Sequence, residues 1–333
     1  MSDQSVLEPV PTGLGNRRRV MTSMHRTEVI LAVISMLAFV ALAATTNGNL
    51  LQEGTLRAVF QFLAVPMVIG LSQMSVLAVG QMNLSVGVLT GLCAMVSASL
   101  MVQNGWPAWL AILAGVALGA FVGLINGLLV VVTRINGFIV TLATMTVIDG
   151  VRYGINGTAT FQGYSDELVR LGRASVLGAP VVFLVALVVA LGVAGFFART
   201  VPGRQLLASG GNPLAARLSG ISNDRSIVLA HMLSGLLAGV AGLLIIALSG
   251  SVNASIGDDL LLPSFAAPII GGVALAGGVV SVLGTCLAAF IVRLVDVAQA
   301  QYGINPRWVD LIVGAVVLGA VLLSQTRDRG RAR

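Results

Sequence analysis

RTVPGRQLLASGGNPLAARLSGISNDR, residues 199–225, is a polar island between two long apolar runs. Gly210 and Gly211 are expected to break the chain. Asn212 then caps a helix and Pro213 takes its first position, where an N–H would be unsatisfied anyway. Leu214 to Leu218 make about two turns, and Gly220 ends them, because a left-handed residue closes a helix most easily without a Cβ. Leu214, Leu218 and Ile221 recur at helical spacing, so this small helix has an apolar side to press on something. It reads either as a surface for a partner or as an ordinary connection between spans.

The rest of the chain decides what surrounds the island. Of its 333 residues 56% are hydrophobic and 10% charged, with a mean hydropathy of +0.96. A soluble domain carries roughly 25% charged residues, so this is an all-α polytopic membrane protein. Apolar runs fall at 28–46, 57–79, 88–102, 106–132, 138–155, 180–198, 226–248, 264–278, 279–297 and 309–323. That is about ten spans, with 88–102 and 264–278 short and broken or re-entrant. The organisation is a tail at 1–27, a membrane domain at 28–325 holding the island at 199–225, and a tail at 326–333. Ala41-Leu42-Ala43 resembles a signal-peptidase site, but the tail and the run are both long for a signal peptide, so the first helix is expected to be retained. Gly115, Gly119 and Gly123 recur at every fourth position of one span, a spacing that lets helix backbones approach closely in lipid.

Charge orients the bundle. An even number of spans puts both termini on one side. With that side cytoplasmic, Arg17, Arg18, Arg19, Arg26, Arg134, Arg199, Arg204, Arg217, Arg225, Arg327, Arg329, Arg331 and Arg333 lie inside, thirteen against the five of Arg57, Arg152, Arg170, Arg173 and Arg307 outside. The positive-inside rule is satisfied and the island is cytoplasmic. The net charge of +6 follows from this asymmetry and suits anionic headgroups, not nucleic acid.

Several chemistries are excluded. All nineteen basic residues are Arg, so there is no P-loop lysine and no Schiff-base amine. Cys93 and Cys286 lie in apolar runs, far apart, and read as packing residues. His25 and His231 have no ligand-spaced neighbours, so no metal is expected. No catalytic grouping and no cofactor is called for.

Four stretches resemble the membrane permeases of ribose-type ATP-binding-cassette importers. They are GQMNLSVG at 80–87, NGFIVTLATM at 136–145, GRQLLASGGNPLAARLSGI at 203–221 and GGVALAGG at 271–278. The third is the most specific, and the similarity covers roughly 55–325. The resemblance implies a type II-like importer fold in a bacterial inner membrane, with both termini cytoplasmic. It implies pairing with a second permease, identical or paralogous, with cytoplasmic ATPase subunits and with a periplasmic sugar-binding protein. Gly211, Asn212, Ala215, Ala216, Leu218, Ser219 and Gly220 are then the coupling surface for the ATPase. Asn83 stands where the family usually has Asp, and Val280-Ser281 where it has Gly-Ser.

Broken spans are where polar solutes meet a transporter. Asn83, Ser85, Asn126, Asn136 and Phe138 are therefore candidate pathway residues, helix–helix bonding being the alternative for each Asn. Asp149/Arg152, Arg293/Asp296 and Arg307/Asp310 share i,i+3 spacing and are expected near the outer face. Arg152, Arg307 and Asp310 are candidates for docking a binding protein, interfacial anchoring being the alternative. The expected activity is import of a monosaccharide or similar small polar solute. A branched-chain amino-acid permease is weighed against it, and that reading lacks a paired charge at mid-membrane to hold a zwitterion. An ion-coupled carrier working alone would want a deeper acidic residue.

Overall fold

The computed structural model describes residues 14–303 together with 305, 308, 311, 314, 315 and 319, and side chains from residue 26 onward. The helices are α1 (Leu14–Thr45), α2 (Glu53–Leu77), α3 (Val86–Val102), α4 (Ala108–Thr133), α5 (Gly137–Asn156), α6 (Asp166–Arg173), α7 (Val181–Arg199), α8 (Val201–Gly211), α9 (Pro213–Leu218), α10 (Asn223–Ser249), α11 (Leu261–Ile270) and α12 (Val282–Tyr302). Seven of them are long and apolar enough to cross a membrane, α1 through its part Arg26–Thr45. The 17-residue α3 and the 10-residue α11 are the two short spans expected from sequence. The tenth expected span, 309–323, and both distal tails lie largely or wholly outside the described residues.

Burial sorts the helices. The apolar window of α2 is 78% buried and that of α10 61%, against 17% for α1 and α5. Thus α2 and α10 form the centre, and α1 and α5 show apolar side chains outward, as a lipid-facing helix must. Stacked aromatics bring the periphery in: Phe39 of α1 lies 6.3 Å from Phe290 of α12, which stacks on Phe60 of α2 at 6.1 Å.

The glycine stripe of α4 packs on the matching glycines of α10. A Cβ on Gly119 would collide with the Gly235 carbonyl oxygen and stand 3.0 Å from Gly239 N. Close backbone approach supplies the dispersion contacts that lipid cannot replace. Gly119→Leu is expected to destabilise the purified protein by about 3 kcal/mol or more. Gly150→Ala, with nothing within 4 Å, should melt in detergent at or slightly above the parent. Equal melting of both variants with the parent would refute the close packing.

The polar stretch at 156–178 reads as a loop in the sequence but folds into a cap. The i, i+4 spacing of Leu168 and Gly172 in DELVRLGR buries both on one face of α6, with Gly172 pressed on the Ala247 carbonyl of α10. A two-residue ribbon pairs β1 (Phe161–Gln162) with β4 (Ser251–Val252), and a hairpin pairs β2 (Ser175–Val176) with β3 (Ala179–Pro180), both antiparallel. Tyr164 donates to the Ile246 carbonyl at 3.1 Å. Burial pushes its phenol up to about 12, so it stays a neutral donor.

Candidate coupling and translocation site

The island folds as a capped helix, with one difference. Gly210 and Gly211 do not break the chain; they close α8, and the break is Asn212, extended at φ −153. Asn212 Oδ1 accepts from Ala215 N at 3.0 Å. At the other end Gly220 N donates to Arg217 O and Ile221 N to Ala216 O, with Gly220 at φ +79. These are the two bonds of a Schellman closure, which satisfies carbonyls a six-residue helix would otherwise leave bare.

Among the coupling candidates, Gly211, Asn212, Ala215, Leu218, Ser219 and Gly220 are exposed, and Ala216 is buried. Ala216 belongs to the base of the helix, not its surface. Leu214 and Leu218 are 69% and 82% exposed, an apolar pair on the outside of a fixed element. The fixing is done by Asn223 at the start of α10, which accepts from Ser209 of α8 at 2.9 Å and donates to the Pro213 carbonyl of α9 at 2.9 Å. A force on α9 therefore reaches α8 and α10 together.

At the end of α8, just before α9, the two glycine-rich breaks meet. Gly278 N donates to the Ala78 carbonyl at 2.9 Å. A Cβ on Gly80 would stand 2.8 Å from the Ala276 carbonyl, and one on Gly277 2.7 Å from Gly80 N and 3.0 Å from Gly210 Cα. Gly278, at φ +80, touches Gly211. Three stretches that look separate in sequence thus form one knot of bare backbone. Ser281 ends it, accepting from Gly284 N at 2.8 Å as the α12 cap and donating to Glu28 of α1 at 2.7 Å. Where the family pattern has Gly-Ser, the serine keeps a defined role.

The structure brings three pathway candidates together. Asn83 Oδ1 accepts from Ser85 N and Ser85 Oγ, at 3.0 and 2.7 Å. Asn83 Nδ2 donates to Ser234 Oγ at 3.1 Å, and Asn126 Nδ2 to Ser85 Oγ at 3.1 Å. Ser234 in turn meets Ser72 at 2.9 Å, so the chain stitches α2, α3, α4 and α10, and all five side chains are buried. With an amide at Asn83 the hydrogen comes from Nδ2 and Ser234 Oγ accepts it; a carboxylate there would need the Ser234 hydroxyl to turn and donate instead. Asn136 caps α5 by accepting from Phe138 N at 2.9 Å. Asn136 and Phe138 are exposed, with Gly137 N tied to Gln81 Oε1 of the first break at 3.0 Å. Ser72 and Ser234 escaped the sequence reading; their only signal is a small hydroxyl in an apolar run.

The charged pairs divide. Arg152 is 1% exposed, bonding inward to Asp149, to Asp258 at 2.6 Å and to the Ile256 carbonyl at 2.8 Å. Asp149 and Asp258 are 36% and 53% exposed, so the surface presented there is acidic. Arg307 and Asp310 lie outside the described residues. Arg293 differs from its expected place near the outer face: it stands eleven residues on from Val282, near the middle of the 21-residue α12. It stands 3.7 Å from Asp296 and lies over the Phe62 ring at 5.2 Å from its centroid. No group of three or more His, Cys, Asp or Glu able to hold a metal ion is found among the described residues.

A family model described as branched-chain amino acid transport system / permease component matches residues 57–321. The chain belongs to this family. The permease is 30% identical over 303 residues to the autoinducer 2 import system permease protein of Enterobacter sp. (strain 638), across 91% of this chain and 88% of that one. It is 30% identical to the fructose import permease protein of Rhizobium meliloti, across 88% and 84%. With the ribose import permease protein of Escherichia coli (strain K12) it shares 29%, across 89% and 94%. The match spans all four motifs, and the permease is an all-α polytopic membrane protein.

Proposed function

We propose that the permease is the membrane-spanning subunit of an ATP-binding-cassette importer for a monosaccharide or similar small polar solute. The carrying observation is α9: an apolar pair, Leu214 and Leu218, left exposed on a helix capped at both ends and clamped by Asn223. Exposed leucines on a rigid element fit the cleft of a partner better than a plain connection, which has no use for them. Just before α9 the glycine knot links the helix to both broken spans, a route from an external motor to the solute path.

In this reading two cytoplasmic ATPase subunits sit under α9 of a permease pair, and a periplasmic binding protein delivers the solute. The excess of Arg on the α9 side supports that orientation, with both termini cytoplasmic. The buried Asn83–Ser85–Asn126 chain braces the helices around the inner half of the path, and the exposed Asn136–Phe138 start of α5 borders it. Arg152 serves the outer rim by holding Asp149 and Asp258, and Arg307 and Asp310 remain candidates for the same docking role. Monosaccharide as the cargo class draws on the names of the fructose and ribose relatives.

The test is reconstitution. Permease with its ATPase and binding protein in liposomes should accumulate D-ribose or D-fructose only with ATP. Accumulation by the permease alone would overturn the reading and favour a carrier. The family description keeps a branched-chain amino acid as the second reading, and ATP-driven uptake of L-leucine in place of either sugar would select it.

A further inference from the structure

A cavity of about 480 Å³ opens between α2, α10, α11 and α12, apart from the Asn83 chain and the glycine knot. Phe62 and Pro66 of α2 form one wall and Arg293, Asp296 and Gln299 of α12 another, while Asp259 lies at its edge. We propose that this cavity is a polyol-binding vestibule inside each permease subunit, held by Arg293, Asp296, Asp259 and Gln299 against the apolar face of Phe62 and Pro66. It rests on the reading of the protein as an importer of small polar solutes and names the place where the solute first meets the membrane subunit.

Three observations carry it. A charged side chain in mid-span is expensive in lipid, and such residues face an aqueous cavity and mark solute routes. Arg293 is the only arginine so placed among the described spans, and it lines this cavity. One of its donors is unspent: Nε is buried without a partner, while the rest of the guanidinium is paired with Asp296 at 3.7 Å and lies over the Phe62 ring. Finally, Pro66 lies inside α2 at the cavity wall, where it has no N–H to donate to the Phe62 carbonyl one turn back.

The lining also selects the ligand class. Arg293 brings one positive charge, and Asp296 and Asp259 bring two negative ones. An anionic solute would enter beside two carboxylates, and a zwitterion would have to pull Arg293 from Asp296 and from the Phe62 ring. Hydroxyl groups both donate to carboxylates and accept from a guanidinium, so a neutral polyol meets every group without a charge to desolvate. The volume falls in the range of about 300–1,000 Å³ for small-molecule sites.

Equilibrium dialysis of radiolabelled D-ribose and D-fructose against the permease–ATPase complex in nanodiscs, with no binding protein, tests this. Saturable binding of at least one sugar is expected in the parent. It should weaken about tenfold or more in Arg293→Met, which removes a charged hydrogen-bond donor, and about tenfold in Asp259→Asn, which keeps an acceptor but removes its charge. Asp259 is exposed, so its variant keeps the fold and isolates the effect. Affinity unchanged in Asp259→Asn and in folded Arg293→Met, displacement of the sugar by L-leucine, or ATP-driven sugar uptake by a parent that binds no sugar in this assay would each overturn the vestibule while leaving the importer reading standing. Absence of ATP-driven sugar uptake by the full system removes the importer reading and the vestibule together.

Discussion

Leu218→Asp is expected to abolish ATP-driven uptake while leaving the permease folded and inserted. The side chain is 82% exposed, so its replacement disturbs little within the subunit, and the melting temperature in detergent should not move. Against a partner cleft the same change removes an apolar anchor worth about 1.5–3 kcal/mol and buries an unpaired carboxylate, which costs more. The sum exceeds about 3 kcal/mol, a loss of more than a hundredfold in affinity. Co-purification of the ATPase with the permease reads this directly, and uptake reads its consequence. Retention of the ATPase by Leu218→Asp, with full transport, would remove α9 as the coupling element. Ala216→Glu is the weaker probe, because Ala216 is 4% exposed and its substitution would damage the helix base instead of the contact.

Gly210→Val and Gly211→Ala, one residue apart, are expected to give opposite results. A Cβ on Gly210 collides with the Ala78 carbonyl and stands 2.7 Å from Gly278 N. Both of those groups are joined by the hydrogen bond that closes the knot. Backbone cannot step aside as a flexible side chain does, so Gly210→Val should cost about 3 kcal/mol or more and end transport through loss of the folded knot. A Cβ on Gly211 meets only Gly278 Cα at 3.6 Å, an ordinary contact, within a helix where Ala is favoured over Gly by about 0.5–1 kcal/mol. Gly211→Ala should therefore melt at or slightly above the parent and retain uptake. A normal melting temperature and full uptake in Gly210→Val would mean that the knot does not join the breaks to α9.

Much of this was legible in the residues because it is local. Hydropathy over a window of a span's length located nine of the ten apolar runs that the described helices now occupy, and the tenth lies largely beyond them. The Asn212 cap and the Gly220 closure were readable for the same reason: a cap is a bargain struck within a few residues, and side-chain type decides it. The stripe of Gly115, Gly119 and Gly123 was legible because its period is the helix's own.

Other features depend on partners distant in the chain. Nothing in RTVPGRQLLASGGN says that Gly210 will lie on Ala78 and Gly278, so the pair read as a break when it is the end of a helix. Arg152 and Asp149 were paired by spacing, but Asp258 and the Ile256 carbonyl, which turn the guanidinium inward, lie more than a hundred residues away. Arg293 was visible as an arginine in a span, yet its position midway along α12, over Phe62 and beside a cavity, was not. By itself the sequence determined the composition of the membrane domain, its spans and the capped helix between them. Tertiary structure alone decided which backbones touch and where a cavity remains. Capping and hydropathy act over one helix, whereas close packing depends on the summed shape of helices that the chain brings together only after they have formed.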